Sequence, residues 1–177
     1  MNIVFLDIDG VLNSLNYFIE REPKVLELYQ NENYNKDTFL KLKRLMLDID
    51  INKVKVLKEI IDETKSLVVV ISSWKNMGTF SYVQNELIKM GIPIIGITDD
   101  CNSNRGAGIK NYLQENNVQK YIILDDEIFD DYDVELLSHL VKTSFNKNGL
   151  TNKHKSIAIK MMINNNIGGN KCLVKKK

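Results

Sequence analysis

Long apolar runs are missing from this sequence, and with them one class of protein. No stretch approaches the roughly 20 residues that a membrane-spanning helix needs. The opening Met1-Asn2-Ile3 lacks the basic stretch, apolar core and small-residue cleavage site of a secretory leader, so a cytosolic location is the expectation. Cysteine is nearly absent too. Cys101 and Cys172 stand far apart and form no CxxC pair, which argues against a disulfide framework and against a thiolate zinc site. The two histidines, His139 and His154, fall in no metal-ligand spacing and read as ordinary surface or helix residues. An excess of one charge is also lacking. With 24 basic and 23 acidic residues the formal net charge is +1, so no global field points to nucleic acid or an anionic membrane. The one local bias, Lys171 to Lys177, reads as a solvated tail.

What is present fits a single domain over residues 1–177, without repeats, with 44% hydrophobic and 27% charged residues. Five short apolar runs carry the strand signal: Ile3 to Leu6, Leu67 to Ile71, Pro93 to Ile97, Tyr121 to Leu124, and Leu140 to Lys142. Continuous runs of this length, bounded by polar residues, are what buried parallel strands look like. Helical patterns lie between them. Asp50 is placed to cap a helix with Val54, Leu57 and Ile61 on its apolar face; a second covers Phe80 to Met90 and stops at Gly91. A third covers Ile109 to Glu115, and a fourth follows Thr151 as N-cap to about Met162. Alternating strands and helices predict an α/β fold, a three-layer, doubly wound parallel sheet, whose ligands bind beyond the carboxyl ends of its strands.

Three strand ends carry polar groups where that rule needs them. Asp7 and Asp9 sit two apart at the end of the first strand and therefore face the same way. Gly10 then allows a sharp turn. Alone, Asp-x-Asp-Gly is also a helix-capping turn. Asp125 and Asp126 end the fourth strand, and carboxylates gathered at one sheet edge call for a divalent cation; oxygen-only ligation suits Mg²⁺ rather than zinc. Ser72 and Ser73 end the second strand, where a hydroxyl and free backbone N–H groups suit a phosphate oxygen as well as they suit a helix cap. Beside them Trp74 reads as a packing residue and Lys75 as a solvated lysine, with a phosphate contact as its other reading.

In this order, Asp7-x-Asp9-Gly-Val, a strand ending in Ser72-Ser73, a basic residue before a helix, and a strand ending in Asp125-Asp126 resemble the signature of the haloacid dehalogenase (HAD) superfamily over about Ile3 to Asp130. The resemblance implies a phosphoric monoester hydrolase with Asp7 as nucleophile, forming an aspartyl phosphate, and Asp9 as general acid and base. It implies Mg²⁺ held by Asp7, the main-chain carbonyl of Asp9, and Asp125 of the Asp125-Asp126 pair. It implies phosphate contacts from Ser72 or Ser73, with Ser72 favoured as the residue directly after the apolar run. The basic contact is Arg105 or Lys110, with Lys120 third, and Asp130 is a candidate indirect support for the metal.

Residues 13–48 separate the first strand from the Asp50 helix and hold helical stretches at Pro23 to Tyr29 and Thr38 to Met46. Such an insert resembles the small helical caps of the superfamily and implies an open site. A small molecule, a nucleic-acid end or a phosphoprotein then all qualify as phosphorylated substrate, and no obligate protein partner is evident. Ile8-Asp-Gly-Val-Leu-Asn13, Ile71-Ser-Ser-Trp-Lys75, Ile123-Leu-Asp-Asp126, and Leu140-Val-Lys-Thr143 followed by Asn148-Gly-Leu-Thr151 are similar to the HAD domains of RNA-repair proteins, which resemble the 3′-phosphatase half of polynucleotide kinase–phosphatases. A protein phosphatase and a non-catalytic, receiver-like phosphate-binding module are the alternatives.

Overall fold

The computed structural model describes residues 1–30, 35–99 and 104–164. Cys101, Cys172 and the basic tail lie outside them. The sheet is fully parallel: β1 (Asn2–Leu6), β2 (Ser66–Val70), β3 (Ile94–Ile97), β4 (Lys120–Asp125) and β5 (Leu140–Lys142) stand in the order β3-β2-β1-β4-β5. Val4 pairs with Val68 on one side and Ile122 on the other, so β1 is central. From β1 the chain winds outward through β2 and β3, then crosses back to β4 and β5. The switch therefore falls between β1 and β4, which places a crevice past Leu6 and Leu124.

Alternation along the strands feeds two cores. Val4, Leu6, Val68, Val70, Ile122 and Leu124 face one way, against α3 (Ile51–Thr64), α4 (Phe80–Lys89) and α7 (Asn152–Asn164), through Leu57, Ile60, Leu87 and Ala158. Ile3, Phe5, Val69 and Ile123 face the other way, toward Ile109 of α5 (Arg105–Glu115) and Leu136 of α6 (Val134–Ser138). These are the three layers expected. Burying a valine, leucine, isoleucine or phenylalanine side chain here contributes roughly 1.5–3 kcal/mol.

Local departures from the sequence pattern have physical causes. β3 is an edge strand rather than a buried one: Ile95 and Ile97 remain about half exposed. α5 begins at Arg105, four residues before its expected start. Glycines at 106 and 108 weaken helix propensity, but a Cβ at Gly106 would stand 2.6 Å from the Asp131 carbonyl oxygen, so close packing there requires glycine. His154 returns its Nδ1 to the backbone N–H (3.1 Å) and hydroxyl (3.0 Å) of Thr151, which makes it part of the start of α7. The insert forms α1 (Leu15–Gln30) and α2 (Lys36–Leu45). α1 starts well before Pro23, which it carries internally, and it buries none of its side chains. Among the described residues no helix is long and apolar enough to cross a membrane.

Candidate active site

β1 delivers Asp7 to the crevice. The Asp7 N–H donates to the Leu124 carbonyl (2.9 Å), which ties the residue to the end of β4. The next turn closes on itself as Val11 and Leu12 donate to the Ile8 carbonyl, with Gly10 at φ 65°. A Cβ on Gly10 would lie 2.2 Å from Cγ of Asp126, so the turn and the acidic strand end approach as only glycine permits. Gly10→Ala is expected to cost about 2 kcal/mol or more in stability, read as a lower urea midpoint, because left-handed backbone and steric overlap act together.

Asp7, Asp125 and Asp126 bring carboxylate oxygens within 4.8 Å of one another. Asp7 and Asp125 are buried, 4% and 0% exposed, and crowded anions with so little water are costly without counter-charge. Arg105 supplies part of it, with Nη1 2.7 Å from Asp125 Oδ2 and 3.4 Å from Asp7 Oδ1. Its guanidinium lies over the Phe129 ring at 4.2 Å, and the Tyr132 hydroxyl donates to Asp125 Oδ2 (3.2 Å). The offset is incomplete. Burial foremost, and the Asp125 charge, push the Asp7 carboxyl up to about 7 against the pull of Arg105 and the Ser72 hydroxyl. Burial also raises Asp126. Three oxygen-donor groups at this spacing, with surplus negative charge and no nitrogen or sulfur donor among them, fit a hard divalent cation.

Asp9 stands apart from that trio, although the sequence grouped all four aspartates together. Its Oδ2 accepts from the Trp74 indole Nε1 (2.7 Å) and its Oδ1 from the Asn13 amide Nδ2 (2.8 Å). Trp74 is therefore more than the packing residue its position implied, and Asn13, part of the first motif, had no role of its own assigned from the sequence. The Trp74 indole arrives from the turn after β2, a proximity that sequence spacing does not encode. Asn13 carried only a weak signal, as the polar end of the Asp-x-Asp-Gly turn.

The other expected residues separate clearly. The Ser72 hydroxyl, buried, faces Asp7, whereas Ser73 is exposed on the pocket wall. Arg105 is in the site; Lys110 is not, because its ammonium pairs with Asp133 (2.8 Å) on the outer side of α5. Lys120 bonds the Met162 carbonyl at the end of α7. Lys75 donates to the Thr98 hydroxyl (2.9 Å) at the end of β3. Asp130 is exposed and outside the acidic trio; its neighbour Asp131 instead accepts from the Ala107 N–H (2.9 Å) and so holds the first turn of α5, which carries Arg105. On the far side, Thr143 after β5 donates to the Gly10 carbonyl (2.6 Å), and Lys142 reaches the Asp126 carbonyl.

Asp7, Asp9, Ser73, Arg105, Asp126 and Glu127 line a pocket of about 520 Å³, together with Phe18, Phe145 and Asn146. Buried carboxylates, one arginine, a hydroxyl and a second, separately held aspartate can bind an anion beside a cation and move a proton within one cavity. No curated protein and no solved structure matches the chain. A family model does, over residues 3–155, and by that match and its parallel α/β fold the chain belongs to the HAD superfamily, in the family described as the HAD domain in Swiss Army Knife RNA repair proteins.

Proposed function

We propose that this protein is a Mg²⁺-dependent phosphomonoesterase working through an aspartyl phosphate on Asp7. The observation that carries the reading is the convergence of Asp7, Asp125 and Asp126 at the end of the central strands, with Arg105 against two of them. Asp7, Asp125 and the Asp9 main chain would hold Mg²⁺, with Asp126 beside them, and the ion would supply the positive charge that lets an anionic nucleophile approach an anionic phosphate. In the first step an Asp7 oxygen forms a bond to phosphorus while the ester P–O bond breaks. Asp9 gives its proton to the departing oxygen. In the second step Asp9 takes a proton from water, the water oxygen bonds to phosphorus, and the Asp7–phosphorus bond breaks. Arg105 and the hydroxyls at Ser72 and Ser73 orient phosphate oxygens.

The lining of the pocket includes the exposed residues Ser73 and Glu127, which supports a substrate whose phosphate projects from a larger body. α1 contributes Phe18 to its wall, which supports reading residues 13–48 as a small cap. Among candidate substrates the family's description favours a nucleic-acid end over a phosphoprotein or a free metabolite. Purified protein is expected to hydrolyse p-nitrophenyl phosphate with Mg²⁺ and to stop in EDTA. A panel of nucleotides, sugar phosphates, phosphopeptides and 3′- or 5′-phosphorylated oligonucleotides then ranks substrates by kcat/KM. Failure to turn over any of them would leave a non-catalytic, phosphate-binding module as the better reading.

A further inference from the structure

We infer that Trp74 is a positioning residue for the proton-transferring group, acting with Asn13 as a two-sided clamp on Asp9. The inference rests on the phosphatase reading above, in which Asp9 gives and takes the proton.

Each Asp9 oxygen accepts one short, directional hydrogen bond, and the two donors come from different parts of the chain. Trp74 Nε1 reaches Oδ2 at 2.7 Å across 65 residues of sequence, and Asn13 Nδ2 reaches Oδ1 at 2.8 Å from the same turn. Neither donor is free to drift. Asn13 is fully buried; its Oδ1 accepts from the Gly10 N–H (3.0 Å), which fixes the orientation of its amide, and its Nδ2 also reaches the Asp48 carbonyl (3.1 Å). Trp74 packs against the larger core and sits in the short 3₁₀ turn Ser73–Asn76, whose cap is Ser72. Two donors on two oxygens stop rotation of the carboxylate about its Cβ–Cγ bond. Each oxygen keeps a second lone pair, and the proton is given from and returned to such a position. Proton transfer needs heavy-atom distances near 2.6–3.2 Å, so an Asp9 free to rotate would spend less time in reach of the departing oxygen. The clamp also joins the Asp9 turn to the Ser72-Ser73 turn, so the proton donor and the phosphate-binding hydroxyls are set by one connected structure.

Trp74 is the single tryptophan of the chain, so a tryptophan analogue enters at this one position. The comparison is Trp74→Phe against wild type, and, in case Phe fails to fold, a protein in which 3-benzothienylalanine replaces the tryptophan, keeping the bicyclic shape but lacking the N–H. Each is assayed with an alkyl phosphate, whose leaving oxygen needs a proton, and with p-nitrophenyl phosphate, whose leaving group needs little help. kcat/KM is the quantity read, because it covers the steps through departure of the leaving group. Loss of the N–H is expected to lower kcat/KM for the alkyl ester by roughly 10–100-fold, the usual range for removing a support behind a working group. For p-nitrophenyl phosphate the fall should be less than about 3-fold, with an unchanged inhibition constant for inorganic phosphate. Equal losses on the two esters would show that Trp74 merely holds the fold, and no loss on either would show that the bond is idle; both overturn the inference. Asp9→Asn serves as the control for the underlying reading. If it leaves alkyl-phosphate hydrolysis intact, the role given to Asp9 is wrong, whatever Trp74 does.

Discussion

Asp7→Asn should lower turnover by roughly 10³-fold or more, the scale on which enzymes lose activity when a nucleophile, the role proposed for Asp7, is removed. It should also make the metal-free protein more stable. The first effect follows from chemistry: an amide oxygen does not form the aspartyl phosphate, so acid-quenched protein incubated with a ³²P-labelled substrate should carry label in wild type and none in the variant. The second follows from burial. The Asp7 carboxyl is raised from 3.8 to about 7, so between those values the unfolded chain releases a proton that the folded chain retains. Stability therefore falls as pH rises through that window, and the full penalty, on the order of 2–4 kcal/mol, applies above about pH 7. Asparagine has no proton to release. The variant should exceed wild type in metal-free urea denaturation at pH 8, with the gap closing toward pH 4. Added Mg²⁺ should raise the wild-type midpoint and narrow the difference. A variant less stable than wild type at pH 8 would contradict the account of a crowded, undercompensated carboxylate.

Arg105→Met should have the opposite sign. Its guanidinium, about one-tenth exposed, touches Asp125 and Asp7, and its loss leaves buried carboxylates facing one another without their counter-charge. Breaking a buried ion pair from one side typically costs 3–5 kcal/mol, so the metal-free variant should unfold at a clearly lower denaturant concentration. The flexible methionine fills much of the same space over Phe129, which limits the packing contribution to the loss. Mg²⁺ should restore part of this stability. Activity should remain low even then, because the phosphate contact proposed for Arg105 is gone. Arg105→Lys separates these roles: it keeps the charge but not the two-pronged planar geometry, and should recover more stability than turnover. If Arg105→Met proved neutral in both measurements, the arginine would be a surface residue for practical purposes and the electrostatic description of the site would fail.

By itself the sequence determined the alternation of strands and helices, and with it a parallel sheet. Runs such as Val68-Val69-Val70 and Ile122-Ile123-Leu124 are apolar on both faces because both faces are covered, and that property is local enough to read. It also marked the strand ends, since Asp7, Ser72 and Asp125 directly follow those runs and the general rule for such sheets says where ligands bind. Less local properties were decided by the tertiary structure. Exposure of β3 depends on which strand ends up at the edge, and the start of α5 depends on Asp131 packing on Gly106. The choice between Arg105 and Lys110 was a matter of helix face: five residues apart, they point to opposite sides, one into the crevice and one toward Asp133. Trp74 and Asn13 were the larger omission. An indole beside an apolar strand looks like packing in any sequence, and only the fold, by setting the turn after β2 against the turn after β1, brings its N–H to Asp9. Strand pattern depends on neighbours along the chain, whereas a hydrogen bond of 2.7 Å across 65 residues depends on the whole sheet being assembled first.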